Sequence, residues 1–156
     1  MFYKPTRTKE NNMKKIIIIN GPNLNLLGQR EEKIYGNRSF EDLRKELEEL
    51  SKSKAELSYF QSNHEGEIID KIHQCIGNID FIIINPGALT HYSYGIHDAI
   101  VACRIPTIEV HISNIFSREN WRAKSVVSPA VKGVISGLGM EVYKIAVLYI
   151  LDYCKN

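Results

Sequence analysis

Residues 15–35 read K-I-I-I-I-N-G-P-N-L-N-L-L-G-Q-R-E-E-K-I-Y. The four isoleucines at 16–19 are β-branched and leave neither face polar, the pattern of a strand covered on both sides in a parallel sheet. Asn20, Gly21, Pro22 and Asn23 end the run, and all are turn-forming types. Turn chemistry accounts for those four residues but not for the leucine-rich 24–27, nor for Arg30 and Tyr35, which return the chain to polar ground. The segment therefore reads as a long loop at the carboxyl end of a parallel strand, where open α/β sheets place their ligands. A phosphate loop is the obvious rival and fails on composition. Neither G-x-x-x-x-G-K nor G-x-G-x-x-G is present, and Pro22 removes a backbone donor where such loops need one.

Outward from this segment, short apolar runs alternate with longer amphipathic ones, the rhythm of βα units around a parallel sheet. Ser39 is an N-cap with Asp42 three residues later, and Leu43, Leu47 and Leu50 follow on one face of the helix it opens. Glu41 and Lys45 sit four apart on its solvated side. Residues 57–61 are expected as a second strand. Residues 65–77 are expected as a second helix, with Ile68, Ile69, Ile72 and Ile76 inward and Gly77 near its end. Residues 81–84 form the third strand, followed by a second loop at a strand's carboxyl end, Asn85-Pro86-Gly87-Ala88. A helix over 92–103, a fourth strand over 106–112, a fifth over 131–136 and a closing helix over 140–154 complete the chain. Right-handed crossovers give a flavodoxin-like, three-layer α/β fold with a five-stranded parallel sheet of order 2-1-3-4-5. The switch point then lies between strands 1 and 3. The loops after Asn20 and Asn85 face each other there, with the loop after His111 beside them.

One domain fits 156 residues, with 13–156 as a single catalytic unit. Met1 to Asn12 is polar and basic, and is expected to be a loosely ordered extension or an appended remnant. Lys and Arg number 20 against 18 Asp and Glu, for a net charge of +2. That lacks the basic surplus of a nucleic-acid binder, so an anionic ligand has to be met by a few placed groups. Cys75, Cys103 and Cys154 are odd in number and widely spaced in apolar surroundings, which suits reduced thiols of a cytosolic protein. No apolar run reaches the roughly 20 residues that cross a bilayer, so no membrane partner is expected. His64, His73 and His97 lack a matching ligand set, which argues against a metal site.

Tyr35 alone reads equally well as an anchoring aromatic. Arg30 changes its chemistry, because a phenol with an ordinary pKa of about 10 is a poor base at neutral pH and a neighbouring guanidinium lowers it. Gly28 and Gly36 bracket the pair, as in a lid. His111, in E-V-H-I-S, ends the fourth strand; Glu109, two positions back on the same face, is placed to hold one ring nitrogen, which suits a general acid. Beyond it, the N–H groups of Ile112 and Ser113 and the Ser113 hydroxyl form a candidate carboxylate site. Asn85 is a cap or a ligand contact, and His91 is structural or functional with equal weight. Arg118 and Arg122 sit four apart in S-R-E-N-W-R, where solvated charge is the ordinary reading, more so for Arg118.

The loop N-G-P-N-L-N-L-L-G-Q-R-E-E-K-I-Y-G, then N-P-G-A-L-T-H-Y-S, then I-E-V-H-I-S-N follow one another in order. In these motifs the chain closely resembles the type II 3-dehydroquinate dehydratases, from about Lys14 to the last helix. The resemblance implies a lyase of the shikimate pathway that converts 3-dehydroquinate to 3-dehydroshikimate by anti elimination through an enolate. It further implies the absence of a metal, organic cofactor or Schiff base, and a cytoplasmic homo-oligomer, a dodecamer built from trimers. Tyr35 would take the proton alpha to the ketone, Arg30 would keep it basic, and His111 would protonate the departing hydroxyl. A water near Asn23 would stabilise the enolate. Ile112 and Ser113 would take the substrate carboxylate, and Asn85, His91 and Arg122 its ring hydroxyls. Asp98 would reach into the neighbouring subunit's site.

The departures from the family pattern are few. Glu32 stands where proline is common, His97 where arginine is frequent, Tyr94 and Gly95 are unusual in their helix, and Trp121 replaces phenylalanine or tyrosine. A flavin binder or a receiver domain on the same fold is the rival class. A receiver wants an acidic pocket where this chain has Asn20 and Asn23. The type I route to the same reaction needs a lysine Schiff base in a larger barrel.

Overall fold

Residues 13–27 and 38–154 are described by the computed structural model, and in them the isoleucine run becomes β1 (Lys14–Asn20), with Ile16, Ile18 and Ile19 fully buried. The expectation for residues 1–12 lies outside the described residues. The elements that follow are α1 (Phe40–Ser51), β2 (Ala55–Gln61), α2 (Glu65–Gln74), β3 (Phe81–Asn85), α3 (Tyr94–Cys103), β4 (Thr107–His111), β5 (Gly133–Ser136) and α4 (Glu141–Tyr153). The sheet is parallel throughout, ordered β2-β1-β3-β4-β5, the flavodoxin-like order expected from the rhythm of the chain.

The alternation of side chains along each strand divides the core into two layers. Ile16, Ile18, Ile83, Ile108 and Val110 pack on α1 and α4 through Leu43, Leu47, Val142, Ala146 and Val147. Ile17, Ile19, Ile82 and Ile84 pack on α2 and α3 through Ile68, Ile72, Ile96 and Ile100. Each such side chain contributes about 1.5–3 kcal/mol by leaving water, so the strands are pinned from both sides. Parity carries this division to the polar strand ends. Asn20 and Asn85, Cα partners in the register, belong to the α1–α4 side, whereas Glu109, partner of Ile84, belongs with His111 to the α2–α3 side. The sheet's carboxyl edge therefore presents two polar pairs on opposite faces.

Local chemistry sets the helix ends. Ser39 caps α1 in a capping box: its hydroxyl accepts from the Asp42 N–H, and the Asp42 carboxylate accepts from the Ser39 N–H, both at 3.1 Å. α2 is shorter than its hydrophobic spacing suggests. It ends at Gln74, the chain reverses at Gly77 with φ +78°, and Ile76 is 54% exposed rather than inward. α3 begins at Tyr94, two residues later than the expected Tyr92, because the Ser93 hydroxyl accepts from the Ile96 N–H at 3.0 Å and caps it there. β4 is one residue shorter than expected at each end, and β5 begins two residues later than expected, at Gly133, and ends at Ser136 as expected.

Candidate active site

The loops after β1 and β3 meet at the switch point. Gly21 donates its N–H to the Asn85 carbonyl at 2.7 Å, and a Cβ on Gly21 would fall 2.4 Å from the Pro86 carbonyl oxygen. Only glycine permits that approach. Asn23 follows in the left-handed region, φ 68°, which asparagine tolerates better than other side chains do. The Asn63 side chain holds it there by accepting from its N–H at 2.9 Å.

These loops and the one after β4 surround a cavity of about 270 Å³. Of the residues expected at a site, Asn23, Asn85, His91, His111, Ile112, Ser113 and Arg122 all line it. A second hollow of about 350 Å³ lies between β5 and α4, walled by Ile108, Val134, Ile135, Ile145 and Tyr149. It is larger but brings in a single charged side chain, Lys132, whereas the cavity at the switch point gathers the polar residues of three strand ends, and that convergence makes it the candidate site.

At the back of the cavity His111, 4% exposed, sits with Nε2 2.6 Å from Oε1 of the fully buried Glu109. A carboxylate only accepts, so Nε2 carries a proton and Nδ1 is the nitrogen left for other chemistry. Glu109 is in turn held by donors that spacing did not suggest. Thr90 Oγ1 donates to Oε1, Ser128 Oγ donates to Oε2 at 2.7 Å, and Ser125 Oγ lies 2.7 Å from Thr90 Oγ1. Burial pushes the Glu109 carboxyl up, but the hydrogen bonds from His111, Thr90 and Ser128 and the charge of His111 outweigh it. The group lies below the ordinary carboxylate range. A buried anion is thus kept beside an imidazole.

On the cavity's other wall, His91 Nδ1 lies 2.7 Å from the Lys124 carbonyl, which only accepts, so Nδ1 is the donor of that hydrogen bond. Trp121 meets His91 edge-on at 5.1 Å, and the Arg122 guanidinium lies over the Trp121 ring at 4.0 Å. Arg122 Nε also donates to Glu119 at 2.7 Å. Arg118 is exposed, as the sequence reading has it, and it also lines the cavity and donates from Nη1 to Ser113 Oγ at 3.2 Å.

The carbonyls of His111 and Ile112 accept from Gly137 and Gly139, at 3.1 and 3.0 Å. In planar trans peptides the N–H points opposite to the C=O. The N–H groups of Ile112 and Ser113 therefore turn away from the 137–139 loop. With the two guanidiniums, they make this end of the cavity suited to a small carboxylate.

Two expected residues do not line the cavity in this chain: Glu109 lies behind His111, and Asp98 is exposed on α3. Arg30, Tyr35 and the glycine-bracketed lid lie outside the described residues. Among the described residues, no group of three or more His, Cys, Asp or Glu is arranged to hold a metal ion. None of their helices is long and apolar enough to cross a membrane. Cys75, Cys103 and Cys154 are free thiols. Beyond the expected set, the structure adds Pro22, Leu24, Leu27, Gly87, Ala88 and Ile115 to the cavity wall.

The comparisons agree on one family. A family model described as dehydroquinase class II matches residues 14–151. The 3-dehydroquinate dehydratase of Caldicellulosiruptor bescii is 61% identical over 141 residues, covering 89% of this chain and 97% of that protein. That of Caldicellulosiruptor saccharolyticus is 62% identical over 144 residues, with the same coverage. Among solved structures, the type II dehydroquinase of Butyrivibrio crossotus superposes with a TM-score of 0.84 at 50% identity, covering 90% of this chain and 98% of that one.

Proposed function

This chain belongs to the class II dehydroquinase family, and from that premise we propose that it removes water from 3-dehydroquinate to give 3-dehydroshikimate, by anti elimination through an enolate. One observation carries the reading. His111, paired with a buried ionised Glu109, opens onto the same switch-point cavity as Asn23, Asn85, Ile112, Ser113 and Arg122.

A β-hydroxy ketone loses water in two stages. Tyr35, kept basic by Arg30, takes the proton alpha to the ketone, and the electron pair of that C–H bond moves to the carbonyl oxygen as an enolate. A water held by Asn23 meets that charge. The enolate then collapses, its electrons form the new carbon–carbon double bond, and the carbon–oxygen bond to the leaving hydroxyl breaks. His111 supplies the proton that makes it water. Glu109 orients the imidazole and stabilises its charged form. Ile112 and Ser113 take the substrate carboxylate, while Asn85, His91 and Arg122 meet the ring hydroxyls.

Asp98 completes a neighbouring subunit's site in a trimer, and the trimers assemble into a dodecamer. The exposure of Asp98 outside its own cavity supports that role, as do the exposed Tyr92 and Tyr94 beside it. The three free thiols support a reducing, cytoplasmic setting, and the reaction belongs to the shikimate pathway.

The test is turnover of 3-dehydroquinate by the purified protein, followed by the ultraviolet absorbance of the conjugated product. Tyr35→Phe and Arg30→Ala are each expected to remain folded and to lose orders of magnitude in turnover. Near-normal rates in both would remove the base. Borohydride with substrate should leave the protein active, and a trapped lysine adduct would replace the enolate route with an imine one.

A further inference from the structure

We propose that Tyr143, a residue of α4 that does not line the cavity, is a positioning residue that fixes the working orientation of the Asn85 carboxamide through the hydrogen-bond chain Asn85–Tyr143–Asn20. The inference rests on the reading of Asn85 as a substrate contact.

Donor directions along the chain follow from one fixed point. The Gly87 backbone N–H can only donate, and its acceptor, at 3.2 Å, is Asn85 Oδ1. The amide nitrogen of Asn85 therefore faces the other way, where Nδ2 donates to the Tyr143 hydroxyl oxygen at 2.9 Å. A phenol has one proton. With its oxygen accepting from Asn85, Tyr143 gives that proton to Asn20 Oδ1 at 2.7 Å. One hydroxyl thus orients two carboxamides on adjacent strands across the switch point.

Burial limits the alternatives: Tyr143 is fully buried, and Asn20 and Asn85 are each 3% exposed, so little water reaches these groups. Burial also drives the Tyr143 phenol well above its ordinary pKa, against a smaller opposing effect of the Asn85 hydrogen bond, so it stays a neutral donor and acceptor. The ring has its own packing, edge-on to Phe40 at 5.7 Å. Its hydroxyl is therefore separable from its bulk. Without that hydroxyl, the Asn85 carboxamide keeps only the Gly87 tie and is free to rotate, presenting donor and acceptor to the ligand in the wrong order.

The discriminating variant is Tyr143→Phe in the full chain. It is expected to remain folded and to lose about tenfold in kcat/KM, the weight of one buried hydrogen bond, with the loss carried by KM because Asn85 meets a non-reacting hydroxyl. In an Asn85→Ala background the same change should cost nothing further in kcat/KM, while its effect on melting temperature persists. Equal losses in both backgrounds would make Tyr143 merely structural and overturn the proposal. A crystal structure of Tyr143→Phe decides the matter without turnover: Asn85 held in its original rotamer and orientation overturns the proposal, and a rotated or doubled carboxamide supports it. Absence of 3-dehydroquinate turnover in the unmodified protein would sink the functional reading instead, leaving the crystal result to judge Tyr143. Should Tyr143→Phe not fold, Asn20→Ala keeps the ring and releases the hydroxyl's proton. It is expected to reproduce the coupling to Asn85, and additivity there would count equally against the proposal.

Discussion

His111 Nε2 stands 2.6 Å from Glu109 Oε1, two residues apart on the α2–α3 face of β4 and buried at the base of the cavity. The pair is a geometric consequence of strand parity. Glu109→Gln keeps the shape but removes the charge that steadies an imidazolium. It should remain folded and lose about a hundredfold or more in kcat, the scale of a general acid–base contribution, with a smaller change in KM. Steady-state kinetics beside a circular dichroism spectrum check this; a Gln variant with normal kcat would strip Glu109 of any part in the chemistry.

The hydroxyls around Glu109 predict a pH effect of definite sign. Its carboxyl lies below the ordinary range because hydrogen bonds from His111, Thr90 and Ser128 outweigh burial. A depressed carboxyl stabilises the fold above its unfolded pKa, and that stabilisation is lost as pH falls through the folded pKa. Removing one donor in Ser128→Ala raises the folded pKa. Both the acid limb of kcat/KM and the acid loss of stability should therefore begin at higher pH than in the unmodified protein. Profiles of the two proteins over the same acid range decide it, and superimposable limbs would mean that Ser128 does not tune the carboxylate.

Trp121 is the sole tryptophan of the chain, with the Arg122 guanidinium over its ring and His91 at its edge. A ligand drawn to Arg122 should change the indole emission. Titration with 3-dehydroshikimate is expected to give a saturable fluorescence change, and Arg122→Ala should weaken binding by about tenfold or more, as loss of a charged hydrogen-bond partner does. Arg122→Lys should rescue little, because an ammonium cannot both stack on the ring and offer the fork to a ligand. If emission stays constant at product concentrations that inhibit turnover, Arg122 does not meet the ligand.

What could be read from sequence divides along a physical line. The strands were legible because residues 16–19 and 81–84 are apolar on both faces, and the start of α1 because Ser39 and Asp42 carry their cap chemistry locally. Ile76 misled because its spacing from Ile72 continues a helical stripe, whereas the chain reverses at Gly77. The site residues at strand ends were legible through topology: once the order is 2-1-3-4-5, the loops after Asn20, Asn85 and His111 have to converge. Thr90, Ser125 and Ser128 were not, because hydroxyls aimed at a buried carboxylate leave no periodic trace. Tyr143 reaches Asn20 across 123 residues of sequence, and on α4 it reads as one more core aromatic. Arg118 was read as solvated charge and is exposed, but its contact with Ser113 was not legible, because it depends on two short 3-10 turns on either side of it, Ile115–Ser117 and Asn120–Ala123.

The switch point itself is open to test at Gly21. Its N–H donates to the Asn85 carbonyl at 2.7 Å, and an added methyl would lie 2.4 Å from the Pro86 oxygen and 2.7 Å from its carbon. Those neighbours are backbone, so no side chain can move aside. Gly21→Ala must part the loops after β1 and β3, which is expected to cost about 1–3 kcal/mol in stability, as forced overpacking does. Asn23 and Asn85 would move apart with their loops. A displacement near 1 Å at a reacting centre costs about a hundredfold in rate, so kcat/KM should fall much further than stability alone explains at temperatures where the variant is fully folded. Thermal melting and turnover measured on one preparation separate the two effects. Full activity and an unchanged melting temperature in Gly21→Ala would mean that the loops do not approach this closely, and the convergence on which the site depends would be lost with them.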